Sequence, residues 1–390
     1  MFYGKLASMK ILTVDIGTGT QDVLLCDSRL EIENSFKLVL PSPTLNVNRR
    51  IKEATKSGVP ILLTGVTMGG GPSGWAVQSH LRLGLAVYAT PEAARTLDDD
   101  LERVASMGVR VLSEDEAQAL PSSVLRVRFL DFDYPLITDT FTQFGVSLDD
   151  LAAVAVAVFD HGAAPPGISD RQFRFDYLNA RIREKNALTA FAYLAEDIPP
   201  VLTRMRSVAN SFEGVDLPLV VMDTAPAAVL GAGFDPAAAT LQRKIIVNVG
   251  NFHTLAFRMG LEEIEGLFEH HTGEIDLPKL ERLVQALAEG SLEHQHVFDD
   301  HGHGALVYTT KPLLLGQGDF DVIVTGPRRS LLRGSALRPY FAVPFGDMMM
   351  SGNVGLLAAT ADLLPHLADP ILASLEGRGS DRSAPWDLEE

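Results

Sequence analysis

Short apolar runs recur along the first 240 residues, separated by polar stretches with helical character. "ILTVDI" and "DVLLCD" come first, then "FKLVL" at 36–40 and "VPILLTG" at 59–65. "LGLAVYA" (83–89), "VRVL" (109–112), "VLRVRFLDF" (124–132), "LAAVAVAVFD" (151–160) and "LPLVVMD" (217–223) follow. Near-continuous Val, Ile, Leu and Ala predict strands buried on both faces, and hence α/β layers. Helices are expected at 45–57 and around 91–106, and loops at 133–150 and 161–172, the latter carrying "HGAAPPGISD". At 244–260, "KIIVNVGNFHTLAFRMG" starts the pattern again with a strand, a turn at Gly250 and a second strand. A helix fits 276–288, and strands fit "GALVYTT" and "FDVIVTG". The chain therefore opens twice with a hairpin followed by strand-and-helix material, the pattern of a duplicated architecture.

Composition narrows the classes. At 390 residues, 46% hydrophobic and 21% charged, the chain can build two cores. It has no apolar run long enough to span a bilayer, and "MFYGKLASMK" has no signal core, so a cytoplasmic location is expected, with Met9 a candidate start. The single cysteine, Cys26, excludes a disulfide framework or a cysteine-held cluster within one chain. A net charge of −17 argues against nucleic acid as the main partner. A nucleotide remains compatible, because backbone amides and a divalent cation can hold phosphates.

Candidate chemistry starts at "DIGTGTQD". Asp15, Gly17, Thr18, Gly19 and Thr20 form either a Gly-rich β-turn or a phosphate cradle with Asp15 on a hydrated magnesium ion. Four later segments keep a fixed order: "VVMDTAPAAVLGAG" (220–233), "VNVGNFHTLAF" (247–257), "VIVTGPRRS" (322–330) and "GDMMMSGNVGLLAA" (346–359). The array resembles the actin, sugar-kinase and Hsp70 superfamily. That resemblance implies a duplicated two-lobe actin-like (ribonuclease H-like) ATPase fold. Its first lobe would span 9–240 with insertions and its second 241–352, with a closing helix at 353–368 and a disordered tail at 377–390. It further implies that Asp15, Gly17, Thr18, Gly19 and Thr20 face phosphates and metal. Gly250, Asn251 and Thr254 would form a second phosphate loop, and Gly326, Pro327 and Arg328 the adenosine side. Asp223 would hold the place of an acid or base. Asn248 stands where the superfamily's second hairpin usually carries Asp. Within the superfamily, "DIGTGTQD", "DHGHG" and the Gly-Asp-Met-Met segment resemble a prokaryotic family labelled as pyruvate formate-lyase activating enzymes. That label implies radical SAM chemistry on an iron–sulfur cluster needing three cysteines, which one cysteine does not provide.

Histidine and aspartate add a second line. "FEHHTG" carries His270 and His271, and "LEHQHVFDDHGHG" carries Asp299, Asp300, His301 and His303. Asp299, His301 and His303 make half of a zinc, iron or manganese site that His270 or His271 could complete, or else a hydrogen-bonded polar loop. Asp160 and His161 end a buried strand, where α/β folds place ligands. Asp160 or Asp223 is a candidate general base or a helix cap. The Gly run of "TGVTMGGGPSGWAVQSH" (64–80) precedes a helix and is either an anion site or a connection, with Trp75 as core or lid. The expectation is an ATP- or ADP-binding, magnesium-dependent ATPase or phosphotransferase acting on a small-molecule or protein acceptor. Neither nucleic acid nor membrane is expected as a partner. The alternatives are a metal-dependent hydrolase or acyl-transfer enzyme on the same fold, and a non-catalytic nucleotide sensor.

Overall fold

The computed structural model describes residues 9–261, 263–377 and 386. The expected disordered tail lies outside them apart from Gly377 and Trp386. The opening hairpin pairs β1 (Lys10–Ile16) with β2 (Thr20–Asp27), and β3 (Phe36–Pro41) extends it into an antiparallel meander. The chain then leaves this sheet. It makes α1 (Pro43–Lys56), capped by the Ser42 side chain, then β4 (Ile61–Gly65), α2 (Pro72–Arg82) and β5 (Val87–Ala89). Next come α3 (Pro91–Ala94), α4 (Leu101–Ser106), β6 (Val109–Val111), α5 (Glu114–Gln118) and β7 (Leu125–Phe129). These strands form a separate parallel sheet in the order β6-β5-β4-β7, with its own core around Ile61, Leu63, Val127 and Phe129.

After α6 (Tyr134–Gln143) the chain returns to the first sheet with β8 (Leu151–Val158). Then follow α7 (Asp170–Glu184), β9 (Ala192–Leu194), α8 (Thr203–Ser211), β10 (Leu219–Asp223), α9 (Thr224–Ala232) and α10 (Pro236–Ala239). β8 explains its own sequence. Val154, Val156 and Val158 enter one core with Leu12, Val14 and Met205, whereas Ala153, Ala155 and Ala157 enter another with Ala227, Leu356 and Ala359. Period-2 alternation puts the large residues on one face and the small ones on the other, so helices approach the alanine face closely.

The second sheet repeats the first. β11 (Lys244–Val249), β12 (His253–Met259) and β13 (Ile264–His271) form its meander. After α11 (Leu277–Glu289) and α12 (His294–Asp299), β14 (Gly304–Val307) adds to β13, and β15 (Val322–Thr325) and β16 (Pro339–Phe341) lie parallel beyond β11. The orders are β3-β2-β1-β8-β10-β9 and β14-β13-β12-β11-β15-β16. Both hold a three-strand antiparallel meander whose first strand is followed, on its other side, by two parallel strands, β8 and β10 in one sheet and β15 and β16 in the other; the first sheet adds β9 antiparallel to β10. This is the duplicated two-lobe actin-like, ribonuclease H-like arrangement.

Local expectations fared unevenly. Residues 133–150 are not all loop. Asp133 caps α6, Pro135 sits in its first turn, and Ile137 and Phe141 bury one face four residues apart. The stretch 83–89 keeps only β5, because Leu83 and Gly84 finish the preceding helix. The closing helix runs as α13 (Ser351–Leu363) and restarts as α14 (Pro365–Leu375). Pro365 has no N–H to continue the first helix and biases Leu364 out of helical geometry. Among the described residues no helix is long and apolar enough to cross a membrane.

Candidate functional site

The two sheet-opening hairpins share one turn. The Gly17 amide donates to the Thr20 carbonyl at 2.9 Å, and the Gly250 amide to the His253 carbonyl at 2.9 Å. Counting back two residues aligns Asp15 with Asn248. The hairpin tips meet, since a Cβ on Gly19 would strike the Asn251 side-chain amide. Between the lobes lies a cleft of about 560 Å³ lined by Asp15, Gly17, Thr18 and Thr20 from one side and Asn248, Gly250 and Asn251 from the other. Gly326, at φ +96°, and Pro327 also line it. Three residues of the expected set do not line it: Gly19, packed at the tip against Asn251, and two others. Thr254 is fully buried with its hydroxyl 2.9 Å from that of Thr272, because strand alternation turns it away from the His253 side. Arg328 is exposed beyond the cleft wall.

Acidity gathers on the cleft floor. Asp15 Oδ1 accepts from the Thr224 hydroxyl at 2.6 Å, at the start of α9, and Gly352 at the start of α13 presses so close that a Cβ would overlap the carboxylate. Burial pushes the Asp15 carboxyl up to about 6. Asp22 is pushed up to about 8, first by burial and then by Asp15, and its Oδ1 has no hydrogen-bond partner among the described residues. The Asp22–Asp15 pair fits a hard divalent cation, which would offset this repulsion. Without a cation, both groups favour the folded chain when protonated, so their contribution is present at low pH and lost as pH rises through about 6 and 8. Protons would therefore compete with a divalent cation such as Mg2+ at this pair. Its affinity, measured by calorimetry on the full chain, is expected to fall about tenfold per pH unit below pH 8 and more steeply below 6. An affinity flat from pH 8.5 to 5.5 would exclude this pair as the cation site.

The two candidate bases are committed elsewhere. Asp223 caps α9 through the Ala225 amide at 3.1 Å and pairs with Arg174 at 2.6 Å, outside the residues lining the cleft. Asp160 lines the cleft, but its oxygens accept from the Gly162 amide at 2.8 Å and the Met205 amide at 2.9 Å. Both side chains thus engage backbone amides, as the capping alternative expects. Asp223 ends a strand that feeds a helix N-terminus, and Asp160, in the loop after β8, meets the first turn of α8, whose amides need acceptors.

The histidines assemble differently from the expected set. Asp299 and His301 are exposed, and His270 is buried beside Asp300. His303 instead meets His161, their Nε2 atoms 3.1 Å apart, and His253 joins them. One ring nitrogen from each of the three lies within 4.8 Å of the others. The Phe159 ring stacks on His253 with centroids 4.2 Å apart. Glu269 Oε1 lies 3.4 Å from His303 Nδ1, Arg174 Nε donates to Glu269 Oε2 at 2.8 Å, and the same guanidinium lies 4.0 Å from the centre of the Phe159 ring. Burial first, then Arg174 and neighbouring rings, hold His161 down to about 3. Burial likewise holds His253 and His303 below the usual imidazole range, so their ring nitrogens keep lone pairs at neutral pH. The sequence marked His161 as ending a buried strand and His303 as one of a His/Asp loop, without joining them. It carried no signal for His253 as their partner, nor for Arg174.

The Gly run is anchored. The Gly69 amide donates to Asp131 Oδ2 at 3.1 Å, and Asp131 is held by Arg204 at 2.7 Å. Gly69, Gly70 and Gly71 line the cleft, and the half-exposed Trp75 meets Phe252 at the second hairpin with ring centroids 5.6 Å apart. The parallel-sheet insert thus closes one side of the cleft.

Residues 68–331 match a family described as "Putative pyruvate format-lyase activating enzyme (DUF1786)". The chain belongs to this family. No curated protein matches it. Among solved structures it is similar to the ethanolamine utilization protein EutJ from Carboxydothermus hydrogenoformans, with 11% identity, a TM-score of 0.30 and 90% of each chain covered. It is also similar to the ROK hexokinase from Thermus thermophilus, with 13% identity and a TM-score of 0.29, over 91% of this chain and 100% of that one. A ROK-family transcriptional regulator, a homologue of the E. coli MLC protein, shares 8% identity at a TM-score of 0.26, over 66% of this chain. The family member described here spans 38% of that regulator's length. Strand order and duplication, rather than these similarities, carry the fold.

Proposed function

We propose that the cleft binds ATP or ADP with Mg2+ and that the chain is an ATPase or phosphotransferase. One observation carries this: two hairpins with the same glycine turn converge on one cleft beside a carboxylate pair, Asp15 and Asp22, whose buried charge calls for a cation. Glycine turns bring backbone amides close to phosphate oxygens, and the cation neutralises what the amides do not. The acceptor is a small molecule or a protein. Nucleic acid does not suit a net charge of −17. We place the activity in the cytoplasm, where nucleotides are abundant.

The activating-enzyme chemistry in the family's description does not fit this chain. Cys26 is its only cysteine; it is buried in β2, its thiol is pushed up to about 12, and one thiol does not hold an iron–sulfur cluster.

Millimolar Mg–ATP is expected to raise the melting temperature of the full chain. At a hundred times the dissociation constant, the gain is about 2.7 kcal/mol, roughly 3 °C for a chain of this size. Asp15→Asn should lose most of that shift while keeping a cooperative transition. No shift with either ATP or ADP at 5 mM would overturn the nucleotide reading, as would an unchanged shift in Asp15→Asn.

A further inference from the structure

We propose that His161, His253 and His303 form a second metal site, distinct from the carboxylate floor. It would take a zinc-class transition ion and keep one coordination position open to the cleft. The three residues come from the end of β8, the tip of the second hairpin and the strand-entry loop before β14, and the fold draws them to one point. Two imidazoles sharing a tetrahedral zinc ion at about 2.0–2.1 Å stand roughly 3.3 Å apart. The 3.1 Å between the Nε2 atoms of His161 and His303 is close to that spacing. The third nitrogen, on His253, lies within 4.8 Å of both. His253 Nε2 is buried and has no hydrogen-bond partner among the described residues.

The surroundings are those of a ligand set and not of a packing cluster alone. Glu269, fully buried, lies 3.4 Å from His303 Nδ1 with no hydrogen bond between them as the ring now sits, while Nε2 faces His161. A carboxylate behind a ligating histidine sets its tautomer and raises its donor strength. Arg174 pins that carboxylate from the other side at 2.8 Å, and Phe159 stacks on His253 and fixes the ring plane. Nitrogen donors select zinc, cobalt, nickel or iron over magnesium, so the two sites divide the metals between them. Three protein ligands leave a fourth place for an exchangeable group. His161 and His253 line the cleft while His303 lies behind them, so that place faces the cleft. Its occupant is water or an oxyanion, a carboxylate or phosphate on the molecule lying beside the nucleotide.

The test uses the full chain, stripped with a chelator and titrated with Zn2+ alone and with Co2+ alone. One equivalent of Zn2+ is expected to bind, and Co2+ should give the intense visible bands of a four-coordinate nitrogen site. His161→Gln and His253→Ala should each weaken Zn2+ binding by about 100-fold or more. Glu269→Gln, which touches no metal, should weaken it about 10–100-fold. His301→Ala, on the exposed loop, should change nothing. A weak octahedral Co2+ spectrum in the unaltered protein would overturn the proposal whether or not the variants fold. So would Zn2+ binding that survives the His161 and His253 changes, or that is lost in His301→Ala. The Mg–ATP melting shift of zinc-free protein is read in parallel, so loss of one site does not imply loss of the other.

Discussion

Arg174→Met is expected to destabilise the folded chain by about 3–5 kcal/mol at pH 8, and by clearly less at pH 5. Arg174 is 2% exposed and pairs with Asp223 at 2.6 Å and Glu269 at 2.8 Å, themselves 3% and 0% exposed. It also donates to the Asp160 carbonyl at 2.9 Å. Removing the guanidinium leaves two carboxylates in a water-poor interior without their counter-ion, and this cost far exceeds that of losing a surface pair. The pH dependence follows from Glu269. Burial raises its carboxyl to about 7 even with Arg174 opposing, against about 4.5 in the unfolded chain. Its protonated form therefore favours folding, a contribution present below 4.5 and lost as pH rises through about 7. Without Arg174 the group moves higher still, so at pH 5 the variant buries a neutral acid and at pH 8 must bury an anion or take up a proton. Urea unfolding of both proteins at the two pH values measures this, and an equal loss at both would contradict it. The same variant should disturb both ends of the cleft. Asp223 caps the helix whose first residue holds Asp15, and Glu269 faces His303.

Gly355→Ala should lower stability by about 3 kcal/mol, although alanine is the better helix former by roughly 1 kcal/mol. The sign decides the matter. α9 and α13 cross on the alanine face of β8 with their backbones touching: a Cβ on Gly355 would overlap the Ala227 carbonyl, and one on Gly231 the Ser351 carbonyl. Backbone atoms cannot rotate away as a side chain can, so the helices must part. Their parting would move Thr224 and Gly352, the two residues that grip Asp15 from opposite sides. The start of α13 is also tied to both sheets, through Thr13 to Asn353 and Thr325 to Ser351, each at 2.9 Å. Thermal unfolding reads the effect; a variant as stable as its parent would mean the crossing is looser than described.

Much of the architecture was legible in local pattern. Alternating Val and Ala at 151–158 specified a strand with one large and one small face, and two glycine turns of the same kind marked the duplication. Helices were expected at 45–57 and 276–288, and the side chains of Ser42 and Asp276 cap them. These features depend on residues within a few positions of one another, where steric limits and side-chain period act directly. The helix at Tyr134–Gln143 has little local signature because its β-branched and aromatic residues weaken helical propensity, which core contacts of Ile137 and Phe141 override.

What the sequence by itself determined was therefore the pair of sheets, the hairpins and Asp15 between them. Only the tertiary structure decided which histidines meet. His161 and His303 lie 142 positions apart, and His253 joins them only because β11 and β12 open the second sheet against the end of β8. Spacing along the chain pointed to Asp299 and His301, which the fold leaves exposed on the far side of a turn. It likewise gave Asp223 and Asp160 the look of bases, where the fold supplies amide and guanidinium partners to their oxygens. Convergence of distant side chains is set by how whole sheets close on each other, and no local period in a sequence records that closure.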